Sequence, residues 1–244
     1  MLVVLGAVRS SPGTTTAALL IAGSAETAVL IEADPDGGVL QARFGLAREP
    51  NLATFAAAAR AGTAPNVNDH TQMLPGGLPV VTSPASADAA VATWHGAGPA
   101  VSKALRAIAA ERMVIVDAGR FTPTSPHSAL LDTADAVVLV IRPVLEDLNA
   151  LAHRRDALLE RAGDLRLLVI GDQPYGASEI QHRLELPVLG VLPSDPRSAG
   201  AFAGTAAPAS SRWLRRSPLT RAVRAVVENL VAGSTEPSPT GVPA

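Results

Sequence analysis

Short apolar runs alternate along the chain with longer segments in which apolar residues recur every three or four positions. The periodic segments predict helices over 14–22, 100–112, 145–161 and 219–230. The apolar runs predict β-strands: MLVVLGA (1–7), TAVLIEA (27–33), MVIVD (113–117), ADAVVLVIRP (134–143), LRLLVIGD (165–172) and LPVLGVLP (186–193). Strands that are apolar on both faces are typical of a parallel sheet covered on both sides. The pattern therefore predicts an α/β fold, a mostly parallel sheet with helices on both faces.

The length and the composition fit one domain of this kind. The chain has 244 residues, of which 48% are hydrophobic, enough for one sizeable α/β core. We assign residues 1–232 to a single domain and residues 233–244, GSTEPSPTGVPA, to a disordered tail. Two stretches rich in Pro, Gly, Ala and Ser, 66–81 and 83–98, are predicted to be surface connections.

Composition also excludes several classes of function. The chain has no cysteine, which excludes disulfides, zinc-thiolate sites and cysteine nucleophiles. A net charge of −2 argues against bulk electrostatic attraction to nucleic acid. The apolar runs fall well short of the roughly 20 residues that span a bilayer, and no charged segment precedes the first run as in a signal peptide. We therefore expect a cytoplasmic protein.

Four acidic residues lie at the ends of predicted strands: Asp117 and Asp172 end a strand, and Asp34 and Asp195 come shortly after one. In open parallel sheets, ligands bind at the carboxyl ends of the strands. A single Asp at such a position is equally well explained as a turn former. Four of them in corresponding positions favour a binding site at that edge of the sheet.

The segment GAVRSSPGTTTAALL (6–20) joins the first strand to the first helix, where nucleotide-binding proteins place a phosphate loop. A P-loop reads G-x-x-x-x-G-K-[ST], and its lysine neutralises phosphate while its hydroxyl holds magnesium. Here Thr14 follows Gly13 in place of the lysine, and the only lysine of the chain, Lys103, lies in a predicted helix far along the sequence. The chain contains neither the dinucleotide fingerprint G-x-G-x-x-G in this segment nor a G-x-S-x-G nucleophile elbow.

The order of these motifs resembles that of the ParA/MinD family of deviant Walker P-loop ATPases, whose loop reads K-G-G-x-G-K-[ST]-[ST]. The likeness extends over residues 1–230. With Gly13 aligned, Arg9 corresponds to the first, signature lysine, Ser10 and Ser11 to two glycines, Pro12 to the variable position, Thr14 to the P-loop lysine, and Thr15 and Thr16 to the hydroxyls.

Segments further along the chain continue the resemblance. VLIEADPDGG is similar to the family's strand that ends in D-x-D-P-x-G, with Glu32 and Asp34 at the acidic positions. ERMVIVDAGRF is similar to the Walker B strand, with Asp117 as its acid, and LPVLGVLPSDP to the segment that borders the adenine. The resemblance implies ATP or ADP with Mg²⁺ as cofactor, Asp34 as the catalytic residue that positions water, Thr15 and Asp117 as metal-binding residues, and residues 9–16 with Asp172, Pro193 and Asp195 as nucleotide-binding residues.

The departures from the family loop bear on activity. Loss of the lysine removes a charge-assisted contact worth about 1.5–3 kcal/mol, or one to two decades of affinity. Serines replace glycines where the loop needs backbone freedom, and Pro12 lacks an N–H donor. One hypothesis is a scaffold with weak or lost ATP turnover, which the missing lysine favours. The other is an active nucleotide-switched ATPase in which Arg9 replaces the signature lysine.

The resemblance implies a role in spatial organisation: positioning a chromosome or plasmid locus, a division site or a membrane-bound apparatus. It also implies a homodimer in which Arg9 reaches the phosphates of the partner subunit, together with a protein partner of unknown identity. Such a protein is expected in the cytoplasm, at the periphery of the membrane or the nucleoid.

The last predicted helix has an apolar face, and several arginines lie close to it in the sequence. We interpret the apolar face as part of the core that closes the sheet. The alternatives are a face that contacts a membrane surface or DNA. The apolar residues are Leu219, Val223, Val226, Val227 and Leu230, and the basic residues are Arg212, Arg215, Arg216, Arg221 and Arg224.

Overall fold

The computed structural model describes residues 1–9, 12–62, 65–206 and 216–233. Within these residues, eight strands form one sheet in the order β3-β4-β2-β5-β1-β6-β7-β8, and all pairs are parallel except β3 with β4. The strands are β1 Leu2–Ala7, β2 Ala28–Glu32, β3 Gln72–Met73, β4 Pro79–Val81, β5 Met113–Arg120, β6 Ala136–Ile141, β7 Leu165–Ile170 and β8 Val188–Leu192.

Helices cover both faces of this sheet. One face carries α1 (Thr14–Ser24), α2 (Leu40–Phe44), α10 (Pro196–Phe202) and α11 (Pro218–Gly233). On the other face lie α3 (Leu52–Arg60), α4 (Ala87–Trp94), α5 (Gly98–Ile108), α6 (Ala129–Thr133), α7 (Leu145–Ala152), α8 (Arg155–Leu159) and α9 (Ala177–Leu184). Alternate residues of β1 serve the two cores, since Val3 and Leu5 pack with α1 while Leu2 and Val4 pack on the opposite side. The predicted fold class is confirmed.

The strand register places the predicted acidic positions side by side. Asp117 of β5 lies opposite Leu5 of β1 and opposite Glu32 of β2. The backbone N–H of Ala33 donates to the Asp117 carbonyl at 2.8 Å, which extends this pairing into the loop after β2. The carboxyl ends of the three central strands therefore open onto one crevice, as is usual for binding sites in such sheets.

Two predicted surface connections were wrong. The stretch 66–81 contains a 3₁₀ turn (Val67–His70), β3 and β4, and Val80 and Val81 are fully buried in the sheet. The stretch 83–98 contains α4, whose Trp94 is only 2% exposed. Frequent Pro, Gly and Ala make the sequence of both stretches resemble loops. Tertiary packing rather than local propensity forms a strand as short as the three residues of β4.

The predicted helix 145–161 is two helices, α7 and α8, separated at His153 and Arg154. The Arg154 guanidinium donates to the Phe121 carbonyl across the gap between this region and the segment that follows β5. The break therefore directs a cation toward the carboxyl end of the sheet.

The last helix, α11, closes one face of the sheet. Leu219, Val223, Val226 and Leu230 are buried, which confirms that these residues form a core face, and Val227 is half-buried. The basic side chains Arg216, Arg221 and Arg224 are exposed, whereas Arg212, Arg215 and the predicted tail after Gly233 lie outside the described residues. In the part of the chain that the structure describes, no helix combines the length and apolar character needed to cross a bilayer.

A matched pair of valines in α11 tests its packing. Val226 is 1% exposed and Val231 is 52% exposed. We expect Val226→Ala to lower the free energy of unfolding by about 2 kcal/mol through lost burial and a residual cavity. Val231→Ala should change it by less than about 0.5 kcal/mol. Urea denaturation of both variants measures the difference, and equal effects would contradict this packing.

Candidate functional site

The loop between β1 and α1 ends in a glycine that the backbone conformation requires. Gly13 has φ 104° and caps α1 without a side-chain hydrogen bond. Its carbonyl accepts from Ala17 N at 2.9 Å, so the helix begins immediately after it. The first amide groups of an α-helix have no acceptor inside the helix, and they point out with the positive end of the helix dipole. The first turn of α1 therefore offers N–H donors to an anion.

A polar cavity of about 410 Å³ opens in front of this turn. It lies between α1, the loop after β2, the helix α2 and the end of β5. Its lining residues are Gly13, Thr14, Thr15, Thr16, Glu32, Asp34, Asp36, Gly37, Val39, Arg43, Gly119 and Arg120. The predicted residues Thr14, Thr15, Thr16 and Asp34 are thus brought together.

Thr14, which stands in place of the P-loop lysine, has an unsatisfied hydroxyl. The residue is 5% exposed, and its Oγ1 makes no hydrogen bond with any described residue. A buried hydroxyl without a partner costs about 1–3 kcal/mol, and most such groups in folded proteins are paired. Because Thr14 lines the polar cavity, a ligand there can supply the missing partner.

Asp117 is fully buried beside this cavity. Its Oδ1 accepts from Gly119 N at 3.2 Å, whereas Oδ2 makes no hydrogen bond of normal geometry with the described residues. The pKa of Asp117 is raised to about 7: burial is the main cause, the charges of Glu32 and Asp34 add to it, and the Thr15 hydroxyl and the Gly119 amide oppose it. A nearby cation would stabilise the ionised carboxyl.

The donors Thr15 and Asp117 fit a magnesium ion. Mg²⁺ prefers oxygen ligands, and it is commonly held by one or two protein oxygens together with water and substrate phosphates. No cluster of three or more His, Asp or Glu side chains that could hold a metal occurs among the described residues. An ion at Thr15 and Asp117 would therefore need phosphate and water to complete its shell.

Glu32 is buried at the end of β2, and its carboxylate accepts three backbone amides. Its Oε1 accepts from Val39 N at 2.6 Å and Leu40 N at 3.0 Å, and its Oε2 accepts from Ser83 N at 3.0 Å. Burial raises the pKa of Glu32, while the three amides lower it. These bonds connect α2 and the loop after β4 to the carboxyl end of β2.

Asp34, the predicted catalytic residue, sits over Gly119 at the cavity wall. Its Oδ1 accepts from Asp36 N at 2.9 Å, and burial is the main cause that raises its pKa. Gly119 has φ 60°, and a methyl group added there would overlap the Asp34 carboxyl group. Only glycine meets both conditions, and no motif in the sequence points to this position.

Two arginines that the sequence analysis also missed line the polar cavity. Arg43 is half-buried on α2, and Arg120 pairs with Asp36 at 3.4 Å. Arg9, in contrast, is exposed and does not line the cavity. The predicted residues Ser10 and Ser11 lie outside the described residues.

An apolar cavity of about 160 Å³ lies on the other side of the α1 terminus and shares Gly13 and Thr16 with the polar cavity. Pro12, Pro193 and Asp195 line it, so the structure brings these predicted residues together as well. Its remaining lining residues are Ala17, Leu20, Ile170, Leu192, Ser194, Pro196, Ala199 and Leu219.

The two remaining predicted acids differ: Asp195 lines the apolar cavity, whereas Asp172 lines neither cavity. The Asp195 carboxyl caps α10, accepting from Ser198 N at 3.0 Å and from the Ser198 hydroxyl, which holds the pKa of Asp195 below its usual value. Asp172 is exposed after β7 and lines neither cavity. Asp195 therefore has a structural role, whereas the contacts of Asp172 assign none.

An aromatic cluster of Phe121, His127 and Trp94 anchors the segment after β5. The Phe121 ring stacks on His127 with 5.2 Å between centroids, and His127 lies 5.7 Å from Trp94. Phe121 also covers Gly6 so closely that an added methyl group at Gly6 would overlap the ring. Neither ring nitrogen of His127 makes a hydrogen bond of normal geometry, and burial lowers the pKa of His127 to about 4.

The parallel sheet, the glycine-ended loop before α1 and the acids at the strand ends define the class: a P-loop fold of the MinD and ParA type. The similar solved structures include Pyrococcus furiosus cell division ATPase MinD, with 15% identity, TM-score 0.75 and coverage of 95% of this chain and 98% of that chain. MinD from Pyrococcus horikoshii, in complex with Mg-ADP, has 13% identity, TM-score 0.74 and coverage of 95% and 97%. The ParA family ATPase from Chlorobium tepidum has 16% identity, TM-score 0.73 and coverage of 92% and 98%.

At these identities the likeness concerns the fold alone. Neither a comparison with protein-family models nor one with curated proteins finds a match to the sequence. The function must therefore be argued from the two cavities and the residues that line them.

Gly119 provides a test of the site geometry. Gly119→Ala should lower the free energy of unfolding by about 2–3 kcal/mol, because the new methyl group overlaps Asp34 and φ is unfavourable. Gly23→Ala is the matched control, since Gly23 lies in α1 with nothing within 4 Å of an added methyl group. That variant should be stabilised by about 0.5–1 kcal/mol. Chemical denaturation compares them, and a harmless Gly119→Ala would refute the placement of Asp34.

His127 provides a test by pH. Its folded-state pKa, about 4, lies below its ordinary value of 6.5, so the unfolded chain binds more protons between these values and stability falls as pH decreases through this window. Between pH 7.5 and pH 5, the free energy of unfolding of His127→Phe should fall by about 2 kcal/mol less than that of wild type. Denaturation at both values measures this, with the exposed His182→Phe as control. An unchanged pH dependence in His127→Phe would assign the effect to another group.

Proposed function

We propose that the chain binds an adenine nucleotide with Mg²⁺, its phosphates in the polar cavity and its base against the apolar cavity. The observation that carries the proposal is the buried, unsatisfied Thr14 hydroxyl in the cavity before α1. The unpaired Oδ2 of Asp117 supports a cation nearby. The Pyrococcus horikoshii relative in complex with Mg-ADP supports the same ligand class.

The proposal gives the following roles to predicted site residues. Backbone amides of the first turn of α1 bind phosphate, Thr15 and Asp117 hold magnesium, and Asp34 positions water for attack. Pro193 and the apolar side chains around it support the base. Asp172 stays a proposed nucleotide contact beyond the cavities.

We further propose that turnover is weak or lost and that the protein is a scaffold. The first turn of α1 has no cation to stabilise the charge that develops during phosphoryl transfer. The segment after β5 is anchored by Phe121 over Gly6 and by Arg154, contacts that oppose a nucleotide-dependent movement. A fixed segment is consistent with a constitutive platform rather than a switch.

The scaffold would act in spatial organisation. The relatives with this fold include cell division ATPases and a ParA family ATPase, which supports the positioning of a division site, a chromosome or plasmid locus, or a membrane apparatus. We propose that residues 1–232 form one domain that assembles as a homodimer and binds a further protein. The proposed contacts with DNA or a membrane surface are the exposed Arg221 and Arg224 of α11 and Arg216 just before this helix, and they would place the protein at the periphery of the nucleoid or membrane.

A nucleotide-switched ATPase is the second candidate. Its supporting observation is Arg9, which is exposed at the start of the loop and therefore free to reach a partner subunit. Arginine keeps its charge and grips phosphate oxygens with two donors. In this candidate Arg9 replaces the signature lysine across a nucleotide-bound dimer, and Asp34 supports hydrolysis.

Titration calorimetry with Mg-ATP tests nucleotide binding. We expect a Kd of tens of micromolar or weaker, because about one to two decades of affinity are lost with the lysine. Thr14→Lys should tighten binding about tenfold or more, whereas Thr27→Lys, at an exposed position outside both cavities, should not. Absence of binding in both wild type and Thr14→Lys would overturn the proposed function.

Sedimentation and phosphate release separate the two candidates. The scaffold predicts a dimer that is independent of nucleotide and of Arg9, with negligible phosphate release. The switch predicts a dimer that requires ATP and is lost in Arg9→Ala but kept in the exposed control Arg48→Ala. A monomer under all conditions would exclude both dimeric forms.

A further inference from the structure

We propose that Arg43 and Arg120 bind the oligophosphate of the ligand, supplying from the far wall of the polar cavity the positive charge that the first turn of α1 lacks. This inference rests on the proposed function and deepens it by naming the residues that select the ligand's charge. Neither residue occupies a position of the loop motif.

α1 contributes no positive side chain to the polar cavity, so a cation that binds phosphate there must come from another element. Its lining on the α1 side consists of Gly13 and three threonines, and its other walls carry the carboxylates of Glu32, Asp34 and Asp36. The sole lysine, Lys103, is exposed on α5, which packs on the opposite face of the sheet from α1. Among the described residues that line this cavity, only Arg43 and Arg120 are basic.

Arg43 is held at the cavity by the anchoring of α2. The Glu32 carboxylate accepts the amides of Val39 and Leu40 at the start of this helix, and the Leu40 side chain is fully buried. At the other end, Gly45 has φ 64° and ends the helix. The position of Arg43 is therefore fixed by contacts that do not involve its guanidinium.

The guanidinium of Arg43 is available for a ligand. Arg43 is half-buried, and it makes no ion pair or hydrogen bond with any side chain that the structure describes. A partly buried arginine without a counter-charge favours an anion more strongly than an exposed one, because less water screens the interaction. Among the carboxylates that line the cavity, that of Glu32 already accepts three amides.

Arg120 faces the cavity from the end of β5 and is only weakly engaged. Its Nη2 lies 3.4 Å from Asp36 Oδ2, and both side chains are largely exposed. Exposed ion pairs contribute about 0–1 kcal/mol, so a multiply charged phosphate group competes well with Asp36. Two guanidinium forks on separate elements suit a ligand with two or more adjacent phosphates rather than a single one.

The shared chemistry, an oligophosphate, has two sources: a nucleotide tail or a free inorganic oligophosphate. Calorimetry with Mg-ATP and with Mg-tripolyphosphate distinguishes them. We expect Arg43→Gln and Arg120→Gln each to weaken binding of both probes about tenfold, as for a lost charge-assisted contact. Arg43→Lys should recover part of the loss, since it keeps the charge but not the fork.

The matched control is Arg48→Gln, which removes an exposed arginine that follows α2 and does not line the cavity. Its affinity for both probes should equal that of wild type. Thermal unfolding of Arg43→Gln, Arg43→Lys and Arg48→Gln should give the wild-type midpoint, because the guanidinium of Arg43 stabilises no other part of the fold. A lowered midpoint in Arg43→Gln alone would overturn the assignment of Arg43 as a ligand contact.

The outcomes separate this inference from the proposed function. If wild type binds Mg-ATP and both glutamine variants bind it equally well, the inference is overturned and the proposed function stands. If tripolyphosphate binds in an arginine-dependent manner and ATP binds no more tightly, the arginine pair stands while the nucleotide proposal falls. If neither wild type nor Thr14→Lys binds either probe, both are overturned.

Discussion

A single buried carboxylate holds the candidate site in shape. Glu32 accepts amides from Val39, Leu40 and Ser83, and these bonds fix α2 and the end of β4 against β2. Removing such an acceptor would leave buried donors unpaired, which costs more than the bonds themselves contribute. The positions of Asp34 above Gly119 and of Arg43 beside the cavity both follow from this constraint.

The electrostatics of the site are unlike those of a phosphate loop with its lysine. No positive side chain stands at the start of α1, whereas Arg43 and Arg120 line the opposite wall of the polar cavity. The pKa of Asp117, which is fully buried, is raised to about 7. In such a site the metal would do more than assist the ligand, because it would also neutralise carboxylates that otherwise repel phosphate. Binding of the metal and of the phosphates is therefore expected to be strongly interdependent.

The sequence predicts the central strands and the β8 edge of the sheet well, and the β3–β4 edge poorly. Continuous apolar strands such as β1 and β6 are recognisable because burial on both faces leaves no room for polar alternation. The stretch 66–81 conceals β3 and β4, since packing against β2 rather than local propensity makes them strands. The loop motif identified the threonines of α1, but Arg43 and Arg120 lie on other elements, and only folding brings them to the same cavity.

The aromatic cluster makes this site optically observable. Trp94 is buried against His127, which stacks on Phe121 over the last residues of β1. The other tryptophan, Trp213, lies outside the described residues. Replacing Trp213 would leave Trp94 as the single tryptophan, and its emission depends on how its ring packs against the segment after β5. The emission wavelength would show, without an added label, whether a ligand in the polar cavity changes the packing of this segment.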